Sequence, residues 1–461
     1  MTEISANPFS QRIRGNGFAA RLLRSSMFTL GSFGLTQILR FGSNLILTRL
    51  LFPEAFGLMA LVTVIMVGLN MFSDLGTSPA IMQSKRGDDE SFLNTAWTIN
   101  VIRGVALWLV ACALAWPVSV FYHAPDLVTL LPVAGLSLVI TGFTPTHGDR
   151  ANRHLMLGRV SLMDLGTQVT GIVVAVVFAV WYQSVWALVL SGILSALMQV
   201  ALYNLFLDGA RNRFHWDKTA ADELIRFGRW IFFSTVAGFL VTQGDRAVLG
   251  RYLQTDMLGV YNIGFFLASF PMLMGYAMVR KIMIPVYRER PPGASVENFR
   301  KLRKMRGLLT LGLLGMVVVL AFWGFALIEL LYDPRYVLAG SVVILVSVAQ
   351  MPTIIGLTYD QAALAAGNSR DFFWLSMTKA VLTIGCLITG AELAGLYGAL
   401  VGQLVAGILI FPLTSWVAHR QKAWDPLHDA VFFVAASGLG VAALWLNAEA
   451  LVALRTAGTT L

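Results

Sequence analysis

Four cations fall within long apolar stretches of this chain: Arg40, Arg103, Arg246 and Lys379. A charge in hydrocarbon is costly, so such residues face a cavity, a partner or a cargo. Four carboxylates, Asp74, Asp164, Asp245 and Asp360, interrupt apolar stretches in the same way. Counting along a helix puts Arg40 about 24 Å beyond Arg24 and Arg246 about 25 Å beyond Arg229. The planar fork of a guanidinium matches phosphate oxygens. A cavity lined by these cations therefore suits an anionic cargo such as a phosphate or pyrophosphate, with Arg40, Arg246, Arg103 and Lys379 as the binding candidates. Asp74, Asp164, Asp245 and Asp360 are the candidates for ion coupling. The alternative is structural: the arginines pair with Asp245, Asp74 or backbone carbonyls and lock helices together.

The elements that carry these residues repeat. "TRLLFPEAFGLM", with Arg49, Leu51, Glu54 and Gly57, returns as "GRYLQTDMLGVY", with Arg251, Leu253, Asp256 and Gly259. In each copy an apolar run ends at Arg-x-Leu, an acidic residue follows, and Gly opens the next run. "TPT" at 144–146, followed by Gly158 and Arg159, matches "MPT" at 351–353, followed by Gly367 and Arg370. Two copies of one unit are a transporter signature. In this alignment Arg246 falls opposite Asn44, one helical turn from Arg40. Much of the motif also reads as a tight outer hairpin, with an acidic first turn and a dipole-favoured terminal Arg.

Only 13% of the 461 residues are charged and 57% are hydrophobic, too little polarity to cover soluble domains. Apolar runs of about 20 residues, long enough to cross a bilayer, recur from end to end. The reading is an all-α integral membrane protein with 12 core helices in two six-helix lobes. The spans are 26–50, 56–83, 92–117, 127–147, 160–182, 184–207, 228–252, 257–285, 307–332, 337–366, 371–390 and 394–418. A further apolar segment covers 428–447, and "LVALRTAGTTL" is short for another span. The organisation expected is a basic arm at 1–25, lobes at 26–210 and 228–420, a basic linker at 211–227, and the extra segment within 421–461. Most of the 34 basic residues fall on one set of loops, including Lys85, Arg86, Arg150, Arg153, Arg211, Arg213 and a cluster from Arg280 to Arg306. Arg49, Arg251 and Arg335 lie opposite. That asymmetry predicts a cytoplasmic N-terminus. An even number of helices per lobe then relates the copies as parallel repeats. The 286–306 loop reads as a basic segment lying against lipid headgroups, and the net charge of +9 needs no nucleic-acid partner.

Little else suggests chemistry. Cys112 and Cys386 sit in apolar helices as small buried side chains, and the six histidines read mostly as solvated loop residues. No Walker loop, HExxH, GxSxG or dinucleotide fingerprint occurs, so no cofactor, metal or catalytic residue is expected. "GDDE" at 87–90 offers paired carboxylates for a metal–nucleotide sugar, the one feature favouring a polysaccharide glycosyltransferase or polymerase. It lies in a short basic loop with no catalytic domain beside it.

"LILTRLLFPEAFGLMAL", "MFSDLGTSPAIMQ" and "DRAVLGRYLQTDMLGVYNIGFFLASFP" resemble the polysaccharide transporter family of lipid-linked oligosaccharide flippases, within the multidrug/oligosaccharidyl-lipid/polysaccharide exporter superfamily. The resemblance covers roughly residues 20–420. It implies two lobes forming a V around a central cavity, in the bacterial inner membrane. It also implies turnover of undecaprenyl-pyrophosphate-linked repeat units for exopolysaccharide, capsule or O-antigen assembly, alongside a polysaccharide polymerase and export machinery. A multidrug exporter or a lipid II exporter of the same superfamily is the nearest alternative, and the former would want a cavity richer in carboxylates and aromatics. A non-transporting scaffold of the same machinery remains open from sequence. The family carries no fixed catalytic motif, so the resemblance assigns no site residue.

Overall fold

The computed structural model describes residues 18–154, 156–279, 283–359, 362 and 368–457, and these are almost entirely helical. In chain order the helices are α1 (Phe18–Leu50), α2 (Pro53–Phe72), α3 (Thr77–Gln83), α4 (Glu90–Phe121), α5 (Leu127–Gly142), α6 (His147–Arg153), α7 (Leu157–Tyr182) and α8 (Trp186–Phe206). They continue with α9 (Lys218–Tyr252), α10 (Thr255–Ala268), α11 (Phe270–Met278), α12 (Ile284–Glu289), α13 (Val296–Leu331), α14 (Ala339–Gly356), α15 (Ser369–Arg420), α16 (Pro426–Leu446) and α17 (Ala448–Ala457). Eight of these helices are long and apolar enough to cross a membrane, or ten when each of two bent pairs counts as one span. The first helix of each repeat, α1 and α9, is not among them. Both carry charged or polar groups along their length, including Arg40, Asp245 and Arg246.

Several expected spans are broken, each for a local reason. The span expected at 56–83 stops at Phe72 and resumes at Thr77. Asp74 accepts a hydrogen bond from the Gly76 amide at 2.8 Å, and Gly76 sits at φ 60°. The span expected at 127–147 ends at Gly142 and turns by 56° into α6. Pro145 biases its preceding residue away from helix. α10 and α11 meet at a 44° bend just before Pro271. The seventh span begins at Lys218, ten residues ahead of the position expected, so helix occupies much of the stretch read as linker.

The chain divides into two compact units, Met1–Leu51 with Val62–Val236, and Phe52–Leu61 with Ala237–Leu461. In the first unit α4 and α5 pack closely: Trp108 donates to the Pro132 carbonyl at 3.0 Å, and Gly104 lies against the Leu138 carbonyl. Gln168 of α7 donates to the Thr36 carbonyl of α1 at 3.0 Å.

In the second unit α14 is the central helix, buried along almost its whole length. α15 is two helices that fold back on one another, because Ala394 and Gly395 leave helical geometry. Gly395, at φ 56° and ψ −138°, occupies a region closed to side chains with a Cβ. The halves then approach so closely that Gly390 meets the Gly398 carbonyl and Gly402 meets the Cys386 carbonyl. The glycines of the two repeat motifs also meet within this unit. A Cβ on Gly57 would lie 1.7 Å from the Thr255 carbonyl oxygen, and one on Gly259 would lie 1.9 Å from that of Pro53. Small residues at such crossings let helix backbones touch.

The basic stretch before the ninth span forms the first turns of α13, capped by Ser295. Arg300, Lys301 and Lys304 lie on its exposed face, while Leu302 and Arg306 turn inward, only 2% and 1% exposed. His147 and His428, read as solvated, are buried as well.

Candidate functional site

Arg103, on α4, spans the break between α2 and α3. Its Nε donates to Ser73 Oγ at 2.9 Å, and its Nη2 donates to the Asn70 side-chain oxygen at 3.0 Å and carbonyl at 3.2 Å. A guanidinium at a helix C-terminus satisfies carbonyls that the helix leaves unpaired. Together with Asp74, which closes the adjacent turn, Arg103 stabilises the broken helix.

Arg246 is held similarly in the second unit. Its Nε donates to Asn262 Oδ1 at 2.9 Å, its Nη1 lies 3.5 Å from Asp245, and its guanidinium covers the Phe265 ring at 4.8 Å. Asp245 in turn accepts a hydrogen bond from Tyr261. The structural alternative thus describes Arg103 and Arg246 well, although Arg246 keeps partial exposure.

Arg40 differs. It lies exposed on α1, and among the described residues no hydrogen bond or ion pair holds it. One turn along α1, Asn44 occupies the position aligned with Arg246. Lys379 is half-buried on the first half of α15 and engaged by neighbours. Asp164, on α7, accepts from the Tyr203 hydroxyl at 2.7 Å. Asp360 lies outside the described residues.

Two clusters escaped the sequence reading. In the first unit, Asp88 gathers Arg150 at 3.2 Å, Arg153 at 3.1 Å and His154 at 2.9 Å. Arg153 also donates to the carbonyls of Ile81, Met82 and Ser84, capping α3. Arg86 bridges Asp89 at 2.8 Å and Asp217 at 2.7 Å. These contacts tie the 84–89 loop to α6 and to the start of α9. The His154 contact, followed by Arg150 and Arg153, holds the Asp88 carboxyl below its ordinary range. Arg86 and Thr219 hold Asp217 far below it.

In the second unit, buried Arg306 donates to Tyr287 Oη at 2.9 Å, Thr358 Oγ1 at 3.0 Å and the Ala423 carbonyl at 2.9 Å. Its guanidinium lies 4.3 Å from the Tyr359 ring centroid. Tyr359 donates to Asp429 at 2.7 Å, and Trp424 donates to the same carboxylate at 2.9 Å. His428 bridges Asp429 and Thr310. Every member is satisfied, so the cluster clamps α16 onto α13 and α14. The spacing Asp425, His428, Asp429 around Pro426 is the signal that it left in the sequence.

With this architecture in view, the comparisons decide the family. The model for the polysaccharide biosynthesis protein family matches residues 46–339. The chain belongs to that family. The chain is similar to the lipopolysaccharide biosynthesis protein WzxC of Escherichia coli K12, 21% identical over 81% of this chain and 75% of that protein. The succinoglycan biosynthesis transport protein ExoT of Rhizobium meliloti is 23% identical over 85% of this chain and 78% of its own length. Among solved structures, the lipid II flippase MurJ in an inward closed conformation superposes with a TM-score of 0.71 at 11% identity, covering 94% of this chain and 98% of that one. A multidrug resistance transporter of the MATE family gives 0.59 at 15% identity over 84% and 95% of the two chains. The fold is therefore the one these two solved structures share, and the protein is a multi-pass membrane protein of a polysaccharide biosynthesis family.

Proposed function

We propose that the protein is a flippase that moves undecaprenyl-pyrophosphate-linked oligosaccharide repeat units across the bacterial inner membrane, from cytoplasm to periplasm. The family match carries this reading, and the transporter fold and the succinoglycan transport relative agree with it. Arg40 is the cation that meets the pyrophosphate. It is free to do so, and a diphosphate crossing a low-dielectric region needs a counter-charge. Arg246, Arg103 and Lys379 are the further candidates for binding the cargo; Asp245 pairs with Arg246, while Ser73 and Asn70 hold Arg103. Asp164 and Asp360 are the remaining candidates for ion coupling. The N-terminus and the basic loops are cytoplasmic in this scheme, and the polysaccharide polymerase and export machinery take the product.

The membrane-embedded glycosyltransferase fits less well. Asp88 and Asp89, the carboxylates that would have to hold a metal, are engaged by Arg86, Arg150 and Arg153. The deciding experiment is reconstitution in proteoliposomes with a fluorescent lipid-linked oligosaccharide. Protein-dependent exposure of the sugar on the far leaflet is expected. Sugar transfer or chain growth without turnover would favour the enzyme, and inactivity towards this cargo with efflux of a cationic dye would favour a drug exporter.

A further inference from the structure

The open end of the α15 hairpin, opposite the Gly395 turn, holds a pocket of about 550 Å³. Two arginines stand in its wall, Arg370 at the start of the hairpin and Arg420 at its end. Arg420 is engaged: it reaches Asp371 at 3.1 Å and lies over the Trp416 ring at 5.2 Å. Arg370 is exposed and has no hydrogen-bond or ion-pair partner among the described residues. Asp371 is also fastened by Asn368, whose Nδ2 donates to it at 2.8 Å. Two guanidinium groups against one carboxylate leave the pocket with one uncompensated positive charge.

Apart from Thr378, the remaining wall is apolar. Trp374 and Trp416 are 59% and 55% exposed, while Leu375 and Val417 form a buried floor between the two arms. Exposed tryptophan in a membrane protein belongs at headgroup depth, where one edge of the ring meets water and the other lipid. Arginine binds phosphate with two parallel donors. Basic pockets between helices, with apolar surface beneath, recognise lipid headgroups.

We propose that this pocket binds an anionic phospholipid of the surrounding bilayer. Arg370 and Arg420 take the phosphodiester, Trp374 and Trp416 flank the glycerol backbone, and the Leu375–Val417 floor receives the upper acyl chains. The single excess charge matches a headgroup with one negative charge, such as phosphatidylglycerol. A zwitterionic phosphatidylcholine would bring its own cation against Arg370. This site lies beyond the cargo reading and does not depend on it.

Purified protein in nanodiscs of phosphatidylcholine with graded phosphatidylglycerol, and no polyprenyl lipid, tests the proposal. Native mass spectrometry should show phosphatidylglycerol retained in preference to phosphatidylcholine. Arg370→Gln should weaken that retention about tenfold, as expected for losing a charge-assisted contact, and Arg370→Lys should lose less. Arg370 has no partner within the protein, so the melting temperature of R370Q in pure phosphatidylcholine should stay unchanged. Trp374→Leu gives a second, independent loss. Equal retention of the two lipids by the wild type, or equal retention of phosphatidylglycerol by wild type and R370Q, overturns the proposal. Added undecaprenyl pyrophosphate that displaces phosphatidylglycerol from this pocket would assign it to the cargo, and displacement by millimolar inorganic phosphate would reduce it to an anion site. Either result overturns the bilayer-lipid assignment, while turnover in proteoliposomes remains the separate test of transport.

Discussion

Arg40 and Arg246 show how one residue type takes two roles. The repeat aligns them to within a turn, and helix counting puts them at similar depth, which is as far as spacing can reach. What separates them is local. α10 offers Arg246 an amide oxygen from Asn262 and an aromatic face from Phe265, whereas Arg40 has no such neighbours among the described residues. Removing an unpartnered cation strands nothing. Arg40→Ala should therefore reach the membrane at wild-type levels with an unchanged melting temperature, yet lose most turnover in proteoliposomes, with Arg40→Lys partly active. Arg246→Ala leaves Asp245 its Tyr261 hydrogen bond but removes its counter-charge, and breaking such a partly buried pair costs up to about 3 kcal/mol. Its melting temperature and yield should fall together with transport. Full transport by R40A would remove Arg40 from the site, and an R246A protein as stable as wild type would show that its contacts do not hold the helix.

Acidic residues of the basic loops allow a pH test at the same scale. Arg86 and Thr219 lower the folded-state pKa of Asp217, and His154 and the arginines lower that of Asp88. A depressed carboxylate stabilises the fold fully above its unfolded value of about 3.9, and that contribution disappears as pH falls through the folded value. Asp217→Asn should thus lower the melting temperature at pH 7, by a small amount because the ion pair is partly exposed. The difference should close as the buffer is taken well below pH 4. A deficit that persists in acid would mean that the Asp217 contacts act through shape, not charge.

At the scale of elements, the long apolar runs announced most spans, because twenty apolar residues have few other uses. Their interruptions were harder to see. Pro145 and Gly76 fall inside spans read as continuous, 127–147 and 56–83, whereas the turn at Gly395 lies at the boundary already read between 371–390 and 394–418. Arg306 was misread as well. A basic run looks solvated unless its acceptors are visible, and Tyr287, Thr358 and Ala423 are far from it in sequence. The repeated glycines were legible as a motif but not as a contact. Gly57 and Gly259 touch each other's backbone neighbours so closely that no Cβ fits at either position. Gly57→Ala or Gly259→Ala must push the starts of α2 and α10 apart. Either variant should lower the melting temperature more than Gly438→Ala, where a Cβ meets open space. Equal melting temperatures for the three variants would show that this crossing is looser than it looks.

For the whole molecule, orientation follows from where the cations gather. In the first unit, Arg86 contacts Asp217, while Arg150 and Arg153 contact Asp88, so the basic loops meet at one end of that unit. In the second unit, Arg303 pairs with Asp425, and Lys422 lies against Gly293. Its basic segments therefore also share one end. Translocating such clusters across the bilayer is unfavourable, and cytoplasmic loops retain them. We expect both basic ends to face the cytoplasm. Single cysteines replacing Ala294 and Asp126, both exposed, would report this in a background lacking Cys112 and Cys386. Ala294 lies in the basic loop before α13, and Asp126 lies in the turn between α4 and α5. A membrane-impermeant maleimide should label the Asp126 site in intact spheroplasts and the Ala294 site only after the membrane is opened. Labelling of both sites from one side would break the link between charge and orientation, and the direction proposed for cargo movement would lose its support.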